Sequence, residues 1–326
     1  MVDQSASMDE RLEALAVVNN WRSSHAFPLN TFQMNLRRRA RGVDDEALIA
    51  QRMKRLSSID AKLERYQGMK LSRMQDLGGC RAVLKSVPKI RELVDTYKKA
   101  RVDHHLESTD DYLETPKPSG YRGFHLIYKY GGKREEYHGL QIEIQIRSRL
   151  QHAWATAVET VGTFTEQALK SSQGQSDWLR FFALMGSEMA LREKTPTIPY
   201  TSDRRKTIRS EIKSLASQLD IIPRLNTYGA TVRIVEKQAA AQMSGAKYFL
   251  LELNSIDGNL KITGFRSNQL EDGADAYSEA EQRVGNRPGC DAVLVSVEAF
   301  SNLRRAYPNY FLDTSSFVKA VEQALR

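Results

Sequence analysis

Four segments of the chain carry residue types that together suit phosphoryl transfer. The first combines basic side chains with the hydroxyl of a serine; its members are Arg52, Lys54, Arg55, Ser58 and Lys62. If this segment is a helix, residues three or four apart share one face, and basic groups beside a hydroxyl suit a triphosphate. Taken alone, the segment is also compatible with a solvated basic stripe.

Two carboxylates lie beside predicted strands in the second and fourth segments. Asp76 comes directly before the strand that contains Arg81, and Glu143 lies on the polar face of a later strand with Gln145 and Arg147. Acids from two separate strand edges are suited to share a Mg²⁺ ion. A solvent-facing position without a ligand is the alternative for Glu143.

The third segment is a loop with several Pro and Gly residues that ends at Tyr121, and Lys117 and His125 flank this tyrosine. A loop tyrosine between Gly120 and Arg122 is placed to stack on a base, whereas packing against the sheet edge is the alternative. Together, the acids, cations and aromatic ring predict a site for phosphoryl or pyrophosphoryl transfer. In such sites, positioning and electrostatics do most of the catalysis.

The hydrophobic periodicity predicts an α+β domain that positions these segments. The first 70 residues are predicted to be helical, with a break at Pro28 and a second helix opened by the acidic residues 44–46. Strands are predicted at 80–84, 124–130 and 140–147, and helices at 88–99 and 150–161. The strict alternation of 140–147 puts apolar residues on one face only. The predicted sheet is antiparallel or mixed.

A second pattern follows a polar, mostly helical connector. Residues 248–253 and 260–265 flank Asp257-Gly258, which is a hairpin signature, and a helix, a strand and a helix follow at 274–284, 292–297 and 315–325. This pattern predicts a small α+β module of its own. The predicted domains are an N-terminal helical region (1–50), a domain that contains the four segments (51–165), a helical connector (166–224) and a C-terminal module (225–326).

Composition and charge limit the classes of protein. With 326 residues and 41% hydrophobic residues, the chain suits two folded domains, and no apolar run approaches the roughly 20 residues of a membrane span. Two cysteines and the absence of a signal-like N-terminus predict a cytoplasmic protein. Residues 211–326 hold 13 basic and 14 acidic residues, so the remainder carries a net charge of +9. That excess favours a polyanionic partner over ordinary solvated charge.

The four segments, in this order, resemble the RelA/SpoT synthetase domain. The motifs that carry the resemblance are R-x-K-x-x-x-S-x-x-x-K from Arg52, D-x-x-G-x-R from Asp76, the loop motif from Asp111 to His125, and E-x-Q-I-R from Glu143. The resemblance implies a nucleotidyltransferase-like mixed sheet with flanking helices. It also implies transfer of the β,γ-pyrophosphate of ATP to a ribose 3′-hydroxyl, which leaves AMP, with Mg²⁺ as cofactor.

The resemblance also implies roles for individual residues. The ATP-binding group consists of Arg52, which stacks on the adenine, and Lys54, Arg55, Ser58, Lys62 and Arg81. Asp76 binds Mg²⁺, and Glu143 binds Mg²⁺ or takes the proton of the attacking hydroxyl. The acceptor-binding group consists of Tyr121, which stacks on the acceptor's base, and Lys117, His125, Gln145 and Arg147. Because no HD-type hydrolase motif occurs in the sequence, a synthetase without hydrolase activity is expected.

Three further segments, 20–25, 149–159 and 306–313, resemble the toxic branch of small alarmone synthetases, and within it the CapRel fused toxin–antitoxin type. That type implies modification of the 3′-CCA end of tRNA, which stops translation. It also implies a C-terminal pseudo-zinc-finger module that acts as antitoxin, through Tyr307 and Tyr310, and that senses a phage major capsid protein. Because Cys290 is the only cysteine of this region, which has no histidine, no zinc site is expected there.

Three functions remain open from the sequence. The basic excess and the run of Arg37, Arg38, Arg39 and Arg41 favour tRNA as acceptor. No membrane partner is expected. The alternative is a small alarmone synthetase that makes (p)ppGpp or (p)ppApp from ATP and small nucleotides. An inactive domain that only binds RNA or a protein is the third possibility, although all the catalytic residue types are in place. The oligomeric state and the identity of the trigger stay open.

Overall fold

The computed structural model describes residues 7–100, 103–165, 176–231, 233–234, 243, 245–285, 287 and 289–326. The predicted connector therefore begins in residues 166–175, which lie outside the described residues. The described helices include none with the length and apolar character that a membrane span requires.

Two helices open the described chain. Helix α1 (Met8–Ser23) begins with a capping box in which Ser7 and Glu10 exchange hydrogen bonds between side chain and backbone. Helix α2 (Ala26–Val43) holds Pro28 in its first turn, where the missing N–H of proline has no intrahelical acceptor to lose. The predicted break at Pro28 is thus displaced to Ser24 and His25, between the two helices.

The chain enters the sheet directly after α2. The prediction that residues 44–46 open a helix is wrong, because Asp44 ends α2 and its carboxylate accepts a hydrogen bond from the Lys85 N–H at 2.8 Å. Strand β1 (Leu48–Met53) follows, and its first four residues are buried. A short run that is buried on both faces suits a central strand better than an amphipathic helix, which keeps one face polar.

The other predicted elements lie close to their predicted positions, and the structure adds elements that were not predicted, at 105–111, 233–234 and 303–306. Among the described residues, the further helices are α3 (Leu56–Arg65), α4 (Val87–Lys98), α5 (Arg149–Thr165), α6 (Ser176–Glu193), α7 (Arg205–Gln218), α8 (Ile221–Thr231), α9 (Leu270–Val284), α10 (Leu303–Ala306) and α11 (Ser315–Leu325). The further strands are β2 (Gly78–Leu84), β3 (His105–Asp111), β4 (Phe124–Lys129), β5 (Gln141–Ser148), β6 (Arg233–Ile234), β7 (Tyr248–Asn254), β8 (Asn259–Phe265) and β9 (Cys290–Ser296).

These strands form one mixed sheet with the order β3-β4-β5-β2-β1-β9-β7-β8-β6. Strand β2 runs parallel to β5, β6 runs parallel to β8, and the other neighbours are antiparallel, so the prediction of a mixed sheet is confirmed. The predicted hairpin is β7 and β8, and Gly258 in its turn has a positive φ of 66°. That conformation costs glycine little, whereas a side chain at this position would strain the turn.

The C-terminal strands extend the sheet of the preceding residues and do not form a second sheet. Strand β9 pairs antiparallel with β1, where Gln51 lies opposite Ser296 and Arg52 lies opposite Val295. The sheet topology does not by itself show a pseudo-zinc-finger-like module, which stays a prediction together with the domain boundaries. Helix α11 packs with α5, α6, α7 and α8 in a separate helical core.

Candidate functional site

The basic segment does not form one helix. Arg52 lies near the end of β1, Lys54 lies in the turn after it, and Arg55 occupies the position just before α3. Ser58 and Lys62 do share α3, as predicted for that pair. The helical prediction failed for Arg52 and Lys54 because the buried run of β1 extends into the motif.

Asp76 holds the two lysines of this segment together. Its Oδ2 accepts from Lys54 Nζ at 2.6 Å and its Oδ1 accepts from Lys62 Nζ at 2.9 Å. Burial favours the neutral acid, but the two ammonium groups outweigh it and lower the pKa of Asp76 to about 2. Asp76 is therefore a carboxylate that already lies against the cations expected to hold phosphates.

Glu143 enters the same site from β5. The parallel pairing of β2 with β5 places Glu143 opposite Gly79, next to the strand that Asp76 precedes. The alternation predicted for this strand is confirmed, since Ile142, Ile144 and Ile146 are buried in the core. One residue departs from the expected polar face, because Arg147 is itself buried.

Glu143 and four neighbouring side chains form a closed ring of hydrogen bonds. His125 Nδ1 donates to Glu143 Oε1 at 2.9 Å, and Gln145 Nε2 donates to Glu143 Oε2 at 2.6 Å. Arg147 donates to Gln145 Oε1 at 2.8 Å and to the Tyr121 hydroxyl at 2.9 Å. The ring closes between the Tyr121 hydroxyl and His125 Nε2, which lie 2.5 Å apart.

The protonation states in this ring support one another. Burial opposes charge on His125, but Tyr121 and Glu143 raise its pKa to about 9. Burial likewise opposes ionisation of Glu143, but the charge and hydrogen bond of His125 lower its pKa to about 2. At neutral pH, His125 is an imidazolium that donates from both ring nitrogens. Against the effect of burial, the charges of Arg147 and His125 lower the pKa of Tyr121 to about 8.

Tyr121 is packed inside the protein in this form. Its side chain belongs to the core that includes Trp154, and its ring meets Trp154 edge to face at a centroid distance of 6.3 Å. Lys117 Nζ lies 5.5 Å from the centroid of the same ring. The predicted acceptor-binding residues are therefore brought together, but stacking of a base on Tyr121 requires the ring to move out of this packing.

A cavity of about 160 Å³ brings both halves of the site together. Its charged and polar lining includes Arg52, Lys54, Asp76, Arg81, Glu143 and Gln145. Arg55 and Ser58 lie outside this lining, and Lys62 reaches it only through Asp76. Of the predicted acceptor-binding residues, Gln145 lines the cavity, whereas Lys117, Tyr121, His125 and Arg147 lie outside its lining.

Tyr307 closes one wall of the same cavity. Its hydroxyl donates to the Gln51 carbonyl at 2.6 Å, and Arg81 Cζ lies 5.5 Å from its ring centroid. Arg81 also donates to the Ala306 carbonyl. Burial is the main reason that the pKa of Tyr307 is raised, while Arg81 and Arg52 lower it. Tyr307, one of the two tyrosines expected to act as antitoxin, thus packs on Arg81.

Tyr310 lies deeper, beside the ion pair that joins Arg55 to Asp291. Burial raises its pKa, and the nearby Arg55 opposes that change. Both tyrosines are almost completely buried, at 2% and 1% exposure. Neither ring is available to solvent or to a partner in this form.

The predicted tRNA-binding arginines do not form one open patch. Arg37 and Arg41 both pair with Glu298, Arg39 donates to the Thr96 carbonyl and packs on Tyr97, and only Arg38 is exposed without such a partner in the described residues. The four arginines keep their positive charge, but the Glu298 carboxylate already pairs with two of them.

Sequence reasoning missed the group that anchors the acceptor loop. Arg122 Nη1 donates to Glu193 Oε2 at 2.6 Å, and the two side chains are 2% and 8% exposed. Ser148 and Gln151 donate to the same carboxylate. Helix α6 thereby fixes the residue next to Tyr121. Arg122 was visible in the loop motif, but no local signal points from it to Glu193.

The described part of the chain contains no cluster of three or more His, Cys, Asp or Glu side chains arranged for a metal. Mg²⁺ nevertheless requires only one or two carboxylates when substrate phosphates supply further oxygen ligands. Asp76 and Glu143 line the same cavity, and burial and the charge of Asp76 both act to raise the pKa of Glu143, against the larger lowering by His125 and Gln145. Two ionised oxygen donors that repel each other fit a shared hard cation.

Residues 51–167 match a family model described as the region found in RelA/SpoT proteins. GTP pyrophosphokinase YwaC of Bacillus subtilis is 32% identical over 32% of this chain and 52% of its own length. GTP pyrophosphokinase YjbM of the same organism is 38% identical over 26% of this chain and 39% of its own length. The chain thus spans about half or less of the curated relatives it matches.

Among solved structures, small alarmone synthetase 2 of Bacillus subtilis is 23% identical, with a TM-score of 0.45 over 53% of this chain and 91% of that chain. The family match covers every motif of the candidate site from Arg52 to Arg147. The expected RelA/SpoT region is therefore confirmed for that segment. The finer assignment to a fused toxin–antitoxin remains a prediction.

We expect the Asp76→Asn variant to lose less stability than the wild type as the pH falls. The folded pKa of about 2 lies below the ordinary value of 3.8. The contribution of this carboxylate is therefore complete above pH 3.8 and is lost as the pH falls through about 2, a difference of about 2 kcal/mol. Urea unfolding at several pH values measures it, with the exposed Asp45→Asn as control. Equal pH slopes for Asp76→Asn and wild type would contradict the proposed ion pairs.

We expect Glu193→Gln to lower the free energy of unfolding by about 3–5 kcal/mol, because it leaves a buried Arg122 without a counter-charge. The matched control is Glu211→Gln, which breaks the half-exposed pair between Arg180 and Glu211 on the neighbouring helices. That change should cost about 1 kcal/mol or less. Chemical denaturation measures the free energy of unfolding of both variants. Similar losses would show that the buried pair of Arg122 and Glu193 contributes no more than the half-exposed pair.

Proposed function

We propose that this chain transfers the β,γ-pyrophosphate of ATP to a hydroxyl group of an acceptor and releases AMP. The observation that carries the proposal is the single cavity in which Lys54, Asp76, Arg81 and Glu143 meet, inside the segment that matches the RelA/SpoT region. The names of the two relatives, both GTP pyrophosphokinases, support the same reaction class.

The donor half of the proposed reaction uses the basic residues. Arg52 and Arg81 line the cavity and offer planar guanidinium groups on which an adenine can stack. Lys54 and Lys62, now paired with Asp76, would turn to the phosphates. That exchange frees the Asp76 carboxylate at the moment when the triphosphate arrives.

In the proposed transfer, the acceptor oxygen attacks the β-phosphorus as the bond to the α-phosphate oxygen breaks. AMP keeps that oxygen, and the proton of the attacking hydroxyl passes to the solvent or to the Glu143 carboxylate. A bound Mg²⁺ supplies positive charge to the transferred phosphates, and Asp76 and Glu143 are the side chains suited to hold it. With a pKa of about 2, Glu143 holds a proton poorly, which supports its metal-binding role over its role as base in this form.

We expect Glu143→Gln to lower pyrophosphate transfer by about 10²–10⁴-fold, because it removes a charge from the site and the possible base together. Purified protein is incubated with γ-labelled ATP and an acceptor, and the labelled acceptor is counted. The control is Glu107→Gln on β3, whose carboxylate pairs with Lys129 away from the cavity. Near-wild-type transfer by Glu143→Gln would overturn the site assignment.

Two acceptors are proposed, each on its own observation. The 3′-CCA end of tRNA is favoured by the net charge of +9 outside residues 211–326 and by the CapRel-like segments. A small nucleotide is the alternative, and the names of the two relatives favour a guanine nucleotide. Parallel incubations of labelled ATP with bulk tRNA and with GTP or GDP distinguish them, because the label enters only the true acceptor.

We further propose that the C-terminal region holds the enzyme in an inactive form as a built-in antitoxin. Tyr307 lies against Arg81 in the cavity, where an adenine would otherwise stack. Asp291 pairs with Arg55, and the Glu281 carboxylate accepts from the Leu56 N–H at the start of α3. A trigger, proposed to be a phage major capsid protein, would have to prefer the undocked form to shift this equilibrium.

We expect Tyr307→Ala to bind a non-hydrolysable ATP analogue more tightly than the wild type, because it removes the ring that packs on Arg81. Tyr307→Phe keeps the ring and loses only the hydrogen bond to Gln51, so its gain should be smaller. Calorimetry gives both affinities, and thermal melting checks that each variant is folded. Unchanged affinity in a folded Tyr307→Ala would contradict the inhibitory role, and addition of capsid protein to the wild type tests the trigger separately.

A further inference from the structure

A second cavity, of about 240 Å³, lies on the other side of the segment that carries Tyr307. Its walls come from β1, β2 and α5 on one side and from the C-terminal residues Arg304, Arg305, Pro308, Asp313 and Phe317 on the other. It shares no lining residue with the cavity of the candidate active site. A ligand here would therefore touch both the RelA/SpoT-like segment and the C-terminal segment.

Three guanidinium groups line this cavity. Arg149 pairs with Glu46 at 2.6 Å, and Arg304 pairs with Asp313 at 3.0 Å. Arg305 is exposed, and its guanidinium has no acceptor within the described part of the chain. The lining thus carries one positive charge in excess and one cation that lacks a counter-ion, which suits an anion with paired oxygen atoms.

His152 lies in the wall of the cavity and is hydrogen-bonded to the C-terminal segment. Its Nε2 lies 3.1 Å from the Arg305 carbonyl, which can only accept, so the proton is on Nε2. Burial and the charges of Arg81 and Arg147 lower the pKa of His152 to about 3, and the ring is therefore neutral. Its Nδ1 is left as a bare acceptor with no partner, in a side chain that is only 9% exposed.

The rest of the lining is apolar. Leu48, Val83, Ala153 and Phe317 are buried side chains that face the cavity as part of its wall. Such a wall favours a flat, weakly polar body, and arginine planes stack readily on aromatic rings.

We propose that this cavity binds a small phosphate ester of the nucleoside monophosphate class, with its phosphate on Arg149 and Arg305 and its base against the apolar wall. The bound anion would join α5 to the segment of Tyr307. Arg81 already holds the Ala306 carbonyl, and His152 holds the Arg305 carbonyl of this segment. Occupancy therefore stabilises the docked form, and this last consequence alone rests on the inhibitory role proposed above.

Calorimetry on the full-length protein tests the site, with AMP and GMP as probes and with adenosine and inorganic phosphate as partial ligands. We expect a nucleoside monophosphate to bind more tightly than either partial ligand. Arg149→Gln and Arg305→Gln should each weaken that binding about tenfold or more. Lys319→Gln, which removes the same charge from an exposed position on α11 outside the lining, should leave it unchanged.

Three results would overturn the proposal: no binding of AMP or GMP, equal binding of adenosine, or binding that survives both arginine changes. Binding that is lost in Arg52→Gln but kept in Arg305→Gln would place the nucleotide in the other cavity and also overturn it. The measurement involves no catalysis, so it is independent of whether the chain transfers pyrophosphate. Thermal melting of each variant shows whether a loss of binding reflects a loss of fold.

Discussion

Strand β1 has two hydrogen-bonding edges, and both are used. One edge pairs with β2, which leads from Asp76 into the candidate site, and the other pairs with β9 of the C-terminal region. Because buried backbone donors and acceptors need partners, β1 ties the two regions through its own peptide groups. Arg52 lies at this junction, with Gly79 on one side and Val295 on the other. The position of β9 therefore directly affects the backbone of Arg52, a predicted donor-binding residue.

Ion pairs also join the N-terminal part of the chain to the C-terminal region. Arg22 pairs with Glu281 at 2.7 Å with both side chains buried, and Arg55 pairs with Asp291 in the same region. A buried ion pair is weak evidence for stability, but the loss of one partner is costly, so such pairs specify one docked arrangement. The guanidinium groups of Arg22 and Arg55 are of the kind that phosphates also bind. Carboxylates of the C-terminal region thus occupy positions that anionic ligands would otherwise compete for.

Much of the fold could be predicted because local patterns were strong. The alternation in 140–147 fixed both the strand and the buried face that leaves Glu143 in the site, and Asp257-Gly258 identified the hairpin. The segment around Arg52 was misassigned because a short buried strand and the start of a helix overlap within one motif. In that case, tertiary burial and not local propensity decided the structure.

Contacts between distant residues left no signal in the sequence. The ring that joins Tyr121 to Glu143 depends on the antiparallel register of β4 and β5, and its members were named without their geometry. Glu193 reaches Arg122 only because α6 packs against the loop, where a Cβ on Gly120 would lie 2.7 Å from the Phe182 carbonyl oxygen. A motif identifies such residues one at a time, whereas their arrangement comes from packing.

The backbone pairing between β1 and β9 is much shorter than the pairing between β9 and β7. Two residue pairs join β9 to β1, whereas seven join β9 to β7. If the C-terminal region separates, the sheet will therefore part between β1 and β9, and β9 will leave together with β7. Each freed strand would then present bare N–H and C=O groups, which water satisfies only in part and which an added strand satisfies well. Separation would thus convert the internal pairing of β1 with β9 into two unpaired strand edges. Such edges promote self-association and can also pair with a strand of a partner.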